Sequence, residues 1–193
     1  MNRPTKLKRT QERNYSAHHM LIETARVANE RAAKQEMGWS YDALTAILFS
    51  ALAVEALANA FGERKVENWA DFESSSPNAK LRVVAAAMKI PYDNELDLWA
   101  KIKWLVKFRN LVAHAKPKLI KEELMLTQEE VDKRLFDRPE SKVESEITVA
   151  NAEKAVRAVR YLKDILCAAL PPEDFMGLAT DSWSGSTTLH DGA

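Results

Sequence analysis

Apolar residues recur along most of the chain at intervals of three and four positions, the spacing that places them on one face of an α-helix. Polar and charged residues fill the positions between them. The pattern predicts helices over residues 10–36, 38–62, 78–88, 93–117 and 148–170. Prolines at 117 and at 171–172 end the last two of these helices. We therefore expect an all-α fold, an up-and-down bundle of four to five long helices.

The predicted helix at 38–62 has apolar residues around almost its whole circumference, so we expect it to lie at the centre of the bundle. Its composition is close to that of a membrane span, but Glu55 and Asn59 interrupt the apolar run and favour a buried helix. We expect Ser40 to cap its first turn, and Gly62 to form the left-handed turn after its last residue.

Three segments differ from the periodic helices. Residues 1–14 form a basic arm and residues 171–193 a small, polar tail, and we expect both to be disordered. The helical domain spans residues 15–170 and contains a less regular insert at 116–147. Within the insert, Thr127 and Glu130 have the spacing of a capping box, which predicts a short helix after them.

Composition narrows the classes of function. Five glycines in 193 residues argue against a turn-rich β fold, and a formal net charge of zero argues against nucleic-acid or membrane binding by the whole surface. Cys167 is the only cysteine, which excludes an intrachain disulfide and suits a reducing cytoplasm. The sequence has no apolar leader, glycine-rich phosphate loop, dinucleotide fingerprint or metalloprotease motif. We expect a cytoplasmic protein with no membrane association, metal or other cofactor.

The stretch FRNLVAH, residues 108–114, carries the candidate chemistry. On a helical wheel, Lys103, Lys107, Asn110 and His114 fall within about 60° of one another. No acidic residue occurs from 98 to 121, whereas seven basic residues do: Lys101, Lys103, Lys107, Arg109, Lys116, Lys118 and Lys121. Positive charge is therefore concentrated around the motif of a neutral protein, and Lys103, Lys107, Lys116 and Lys118 are the candidate RNA contacts.

The side chains of the motif suit a phosphodiester substrate. Histidine has an unperturbed pKa of about 6.5, so His114 can take and return a proton near neutral pH. Arginine offers a fixed fork of donors to phosphate oxygens, and Asn110 can orient the histidine ring or a ribose hydroxyl. RNA supplies its own nucleophile, the 2′-hydroxyl.

Arg109 and His114 do not converge on one straight helix, because five residues separate their directions by about 140°. A distorted helix end, a long reach by the arginine, or a second copy of the chain would each bring them together. The alternative without catalysis is that Arg109 pairs with a carboxylate of the central helix, most simply Glu55, while His114 only caps the helix end.

The segment RNLVAH resembles the motif of the HEPN superfamily (higher eukaryotes and prokaryotes nucleotide-binding), an arginine followed after four to six residues by a histidine. The segment LFSALAVEALANAFG is similar to the central helix of that family with its glutamate. The segments SPNAKLRVVAAAMKI and LWAKIKWLVKFRNLVAHAKP resemble its later helices. The resemblance covers roughly residues 15–170.

This resemblance implies a HEPN-like helical bundle that forms a homodimer, with the motifs of both subunits lining a composite active site. It implies a metal-independent endoribonuclease, either the toxin of a toxin–antitoxin pair with an antitoxin protein as partner, or an antiviral defence effector. Arg109 would then stabilise the phosphate, His114 would transfer protons, Asn110 would position one of them, and Glu55 would support the arginine. Other members are inactive and serve as RNA-binding or protein-interaction modules, which is the alternative for this chain.

Overall fold

The computed structural model describes residues 7–35, 37–93, 96–135, 137–180 and 182–189. This part of the chain contains six α-helices: α1 (Ala17–Ala32), α2 (Trp39–Lys65), α3 (Pro77–Ala87), α4 (Asp97–Ala113), α5 (Gln128–Lys133) and α6 (Val149–Ala168). Two strands, β1 (Leu7–Asn14) and β2 (Ser182–Leu189), pair antiparallel. The expectation of a predominantly helical chain is confirmed.

Helix α2 lies at the centre of the fold, as its apolar circumference predicted. Helices α1, α3, α4 and α6 all contact it, and its side chains Ile47, Val54, Leu57 and Phe61 are fully buried. It is long and apolar enough to cross a membrane, yet half of its most apolar stretch is buried inside the bundle. The apolar residues that resemble a membrane span are thus the core of the fold.

Both ends of α2 differ from the expectation. The helix begins at Trp39, directly after Gly38 with a φ of 80°, so Ser40 lies inside the first turn and does not cap it. At the other end the helix continues three residues beyond Gly62 to Lys65. Gly62 is required for packing instead, because a Cβ atom there would lie 2.5 Å from the indole ring of Trp69.

The remaining helix boundaries follow local signals. The side chain of Ser76 accepts a hydrogen bond from the amide of Ala79 at the start of α3, and Thr148 does the same for the amide of Asn151 at the start of α6. The capping box before α5 is complete, as predicted. No residue of α5 is buried, and residues 115–127 contain no helix or strand. This part of the insert is irregular apart from the short, unburied helix α5.

Strands β1 and β2 form a β-ribbon that the pattern of apolar residues did not predict. The pairing runs from Leu7 opposite Leu189 to Asn14 opposite Ser182. Every residue of β1 is exposed, so the segment has no buried face and no alternation of apolar residues to indicate a strand. Helix α1 consequently begins at Ala17, later than expected. Residues 1–6 and 190–193 of the expected arm and tail lie outside the described residues.

Candidate functional site

Helix α4 divides its residues between the core and one open face. Its side chains Leu98, Ile102, Leu105 and Phe108 are buried, and the helix packs on α2 and α6. Lys103, Lys107 and Asn110 are exposed on the other side. His114 is the first residue after the helix, and its amide donates a 3.0 Å hydrogen bond to the carbonyl of Asn110. The hydrogen bonding of the helix, from each amide to the carbonyl four residues earlier, therefore continues to the last residue of the motif.

The open face of α4 lines a groove with a volume of about 1020 Å³. We call it the cationic groove, and six of the predicted site residues line it: Lys103, Lys107, Asn110, His114, Lys116 and Lys118. Pro117 and Ile120, from the chain after α4, also line the groove, and Ser141–Val143 and the first turn of α3 form its other walls. One surface thus brings together the stripe predicted on α4 and the two lysines predicted beyond it.

Positive charge dominates the cationic groove. Five lysines line it, at positions 103, 107, 116, 118 and 142, and no carboxylate lines it among the residues that the structure describes. Within the described residues, none of these five lysines forms an ion pair. The half-buried side chains of Leu111 and Ile120 provide apolar surface between the charges. The groove offers both partners that a nucleic-acid strand needs, cations for phosphates and apolar surface for bases.

Arg109 does not line the groove. Its Nη2 atom lies 2.6 Å from Oε2 of Glu55, and its Nη1 atom donates a 2.9 Å hydrogen bond to Oδ1 of Asn110. This ion pair with Glu55 is the contact expected in the alternative interpretation, in which Arg109 has a structural role and not a catalytic one. The hydrogen bond from Arg109 fixes the Asn110 carboxamide by its oxygen. The amide N–H groups of Asn110 are then left to donate to other partners.

Glu55 serves two cations. Its Oε1 atom lies 3.3 Å from Nζ of Lys80, and the Lys80 side chain is only 4% exposed. A chain of polar contacts therefore runs from buried Lys80 through Glu55 and Arg109 to Asn110 at the groove. One carboxylate faces two cations in this chain, so the cluster carries a surplus positive charge beside a groove that is already cationic.

Two residues of the site, Lys80 and Lys142, were not predicted from the sequence. Lys80 falls at a buried position of α3 together with Leu81 and Val84, and a lone lysine on an apolar helix face was a signal that its charge needs a partner. Lys142 had no such signal, because its place in the groove depends on how residues 114–143 fold back on α4. Elsewhere, His18 is fully buried and its Nε2 atom lies 3.0 Å from the carbonyl oxygen of Leu178.

Comparison with known proteins does not identify the chain. No family model, no curated protein and no solved structure matches it. Among the described residues there is also no cluster of three or more histidine, cysteine, aspartate or glutamate side chains that could hold a metal ion. The case for a function therefore depends on the cationic groove and on the residues that line and support it.

Proposed function

We propose that the protein is a metal-independent endoribonuclease of HEPN type that binds RNA in the cationic groove. The observation that carries the proposal is the position of His114 and Asn110 in a lysine-lined groove, whose described lining residues include no carboxylate. The groove offers phosphate contacts along the strand, and an exposed histidine lies at the end of α4 to transfer a proton.

In this mechanism the 2′-hydroxyl of a bound nucleotide attacks the adjacent phosphorus. The hydroxyl loses its proton, the phosphorus–5′-oxygen bond breaks, and the leaving oxygen takes up a proton. The products are a 2′,3′-cyclic phosphate and a 5′-hydroxyl, and no water or metal enters the balance. His114 transfers protons, Asn110 donates from its amide, and the lysines of the groove stabilise the charge on the phosphate.

Arg109 acts from behind Asn110 in a single chain, where it is bound to Glu55. We include in the proposal a homodimer whose second subunit completes the site, because the guanidinium of one chain does not line its own groove. The biological role that goes with this activity is that of a toxin or antiviral defence effector, controlled by an antitoxin protein and acting in the cytoplasm.

The decisive experiment incubates the purified protein with end-labelled RNAs in EDTA and analyses the products. We expect cleavage, 2′,3′-cyclic phosphate ends, and loss of cutting when the nucleotide 5′ of the scissile phosphate is 2′-deoxy. His114→Ala should abolish cleavage while the melting temperature stays unchanged, because His114 is exposed. The nuclease proposal would be refuted if folded wild-type protein, in excess over the RNA, left both structured and unstructured RNAs intact.

One observation favours a second candidate, an inactive RNA-binding module with the same groove. Arg109 is engaged by Glu55, and this is the arrangement of a structural arginine. The module predicts binding without cleavage. Neutralising Lys107 should then lower the slope of log affinity against log salt by about 0.7 for single-stranded RNA. Lys101→Gln is the matched control, since Lys101 lies on the same helix, pairs with Asp97 and does not line the groove.

A further inference from the structure

The ribbon formed by β1 and β2 presents two faces of different chemistry. Side chains alternate between the faces of a strand, and directly opposed residues of an antiparallel pair lie on the same face. The register places Arg13 opposite Trp183, Gln11 opposite Gly185 and Arg9 opposite Thr187. We call these six positions the Trp183 face. It carries two arginines and no carboxylate.

The opposite face is nearly neutral. On β1 it carries Lys8 and Glu12 as its charged residues, and on β2 it carries only serine and threonine, at positions 182, 184, 186 and 188. The positive charge of the ribbon is thus concentrated on the side that carries its tryptophan. This asymmetry was not visible in the sequence, because it depends on the pairing register of two segments that lie at opposite ends of the chain.

Trp183 is 69% exposed, although an indole of this size is usually buried. A Cβ atom placed on Gly185 would lie 3.5 Å from Cζ3 of Trp183 and 3.3 Å from Cγ of Gln11. The indole therefore extends along the ribbon over the position where Gly185 has no side chain. This leaves a flat aromatic surface turned toward solvent.

Cations and a second aromatic ring flank this surface. The guanidinium of Arg13 lies 5.4 Å from the centre of the Tyr15 ring, and Tyr15 is also exposed. Arg9 lies four residues along the same strand, about 13 Å from Arg13 at the rise of a β-strand. Proteins bind single-stranded nucleic acid without reading its sequence through two features, aromatic side chains that stack on bases and cations that bind phosphates.

We propose that the Trp183 face is a second contact for single-stranded nucleic acid, separate from the cationic groove. A base stacks on Trp183, and Arg9 and Arg13 bind the flanking phosphates. A nucleic acid fits this face better than an acidic peptide does, because a peptide would use the two arginines but would leave the exposed indole without a planar partner. The contact accepts DNA as well as RNA, since neither stacking nor phosphate binding needs the 2′-hydroxyl.

The test measures binding of the full-length protein to a labelled single-stranded DNA oligonucleotide of mixed sequence by fluorescence anisotropy at low salt. DNA lacks the 2′-hydroxyl, so cleavage by the proposed mechanism cannot interfere. Trp183→Ala should weaken binding by roughly 5- to 150-fold, the range for loss of one stacked base. Trp183→Phe should retain most of the affinity. The same variants in a Lys103→Gln/Lys107→Gln background separate the face from the groove.

A matched pair of charge variants tests the face without altering the indole. Arg9→Gln and Lys8→Gln each remove one positive charge, from adjacent residues on opposite faces. We expect Arg9→Gln to weaken binding several times more than Lys8→Gln. An oligonucleotide with abasic sites should bind wild type and Trp183→Ala equally, because it has no base to stack.

Equal affinities of wild type, Trp183→Ala and Arg9→Gln for the intact oligonucleotide would overturn the proposal and leave the face to a protein partner. This outcome differs from failure of the proposed nuclease. A protein that binds through Trp183 but cuts no RNA retains the face and loses the enzyme. A protein that cuts RNA but is indifferent to Trp183→Ala retains the enzyme and loses the face.

Discussion

Replacing Glu55 by glutamine should destabilise the fold through Lys80. Glu55 is paired with Arg109 at 2.6 Å and with Lys80 at 3.3 Å. Arg109 is 28% exposed and can be hydrated when its partner is lost, but the Lys80 side chain is 4% exposed. Glu55→Gln keeps the shape of the side chain and removes its charge, so the Lys80 ammonium is left buried without a counter-charge.

Breaking a buried ion pair by removing one partner costs about 3–5 kcal/mol. Glu55 itself is 28% exposed, which admits some water to the pair, so we expect the lower end of that range. For a chain of this length, 1 kcal/mol lowers the melting temperature by about 2–4 °C. Glu55→Gln should therefore lower it by about 6–12 °C.

Thermal and urea unfolding followed by circular dichroism measure this loss. Lys80→Met removes the buried charge while keeping an apolar stem, so the double variant Glu55→Gln/Lys80→Met should recover much of the stability that Glu55→Gln loses. Glu153→Gln is the control, because the pair of Glu153 with Arg157 is exposed and should contribute less than about 1 kcal/mol. The reasoning is refuted if Glu55→Gln costs no more than Glu153→Gln, or if the double variant is as unstable as the two single losses added together.

Three further outcomes follow from the packing and the caps. Gly62→Ala should destabilise the fold by about 1–2 kcal/mol in urea unfolding despite the better helix propensity of alanine, because the new Cβ would overlap the Trp69 ring. Burial raises the pKa of the Cys167 thiol, so its reaction with a thiol reagent should be slower than that of free cysteine at pH 8 and should keep rising at higher pH. Thr127→Ala should leave the melting temperature unchanged but speed amide hydrogen exchange in α5, because the cap stabilises a helix with no buried residue.

The helices could be predicted because each long one buries a periodic face. The errors arise where a distant contact decides the local outcome. Gly62 is a residue type typical of a helix end, but the ring of Trp69 packs against it and α2 continues past it. The pairing of β1 with β2 gave no local signal, since the exposed strands are held by hydrogen bonds between segments from opposite ends of the chain. Neither contact could be derived from periodicity.

The residues of the site also fall into those that local helix geometry predicted and those that distant contacts place. The stripe of Lys103, Lys107, Asn110 and His114 was predictable because one helix and its first following residue position all four. The geometry of a regular helix also predicted that Arg109 and His114 do not converge in one chain, and Arg109 pairs with Glu55 while His114 lines the groove. Lys142 enters the groove only through the path of the insert, and the sharing of Glu55 between two cations depends on how α3 packs on α2.

Arg109 decides how the catalytic proposal works. Its guanidinium uses one nitrogen for Glu55 and another for Asn110, which a lysine ammonium cannot reproduce with the same fixed geometry. Arg109→Lys should therefore keep a positive partner for Glu55 and most of the stability, yet lose the alignment of Asn110. If Arg109 acts through Asn110, then Arg109→Lys, Asn110→Ala and the double variant should reduce the rate of RNA cleavage by similar factors, because residues that act as a unit are not additive. Multiplicative losses in the double variant would contradict this positioning role and place the guanidinium at the phosphate itself, which in this structure requires a second subunit or release from Glu55.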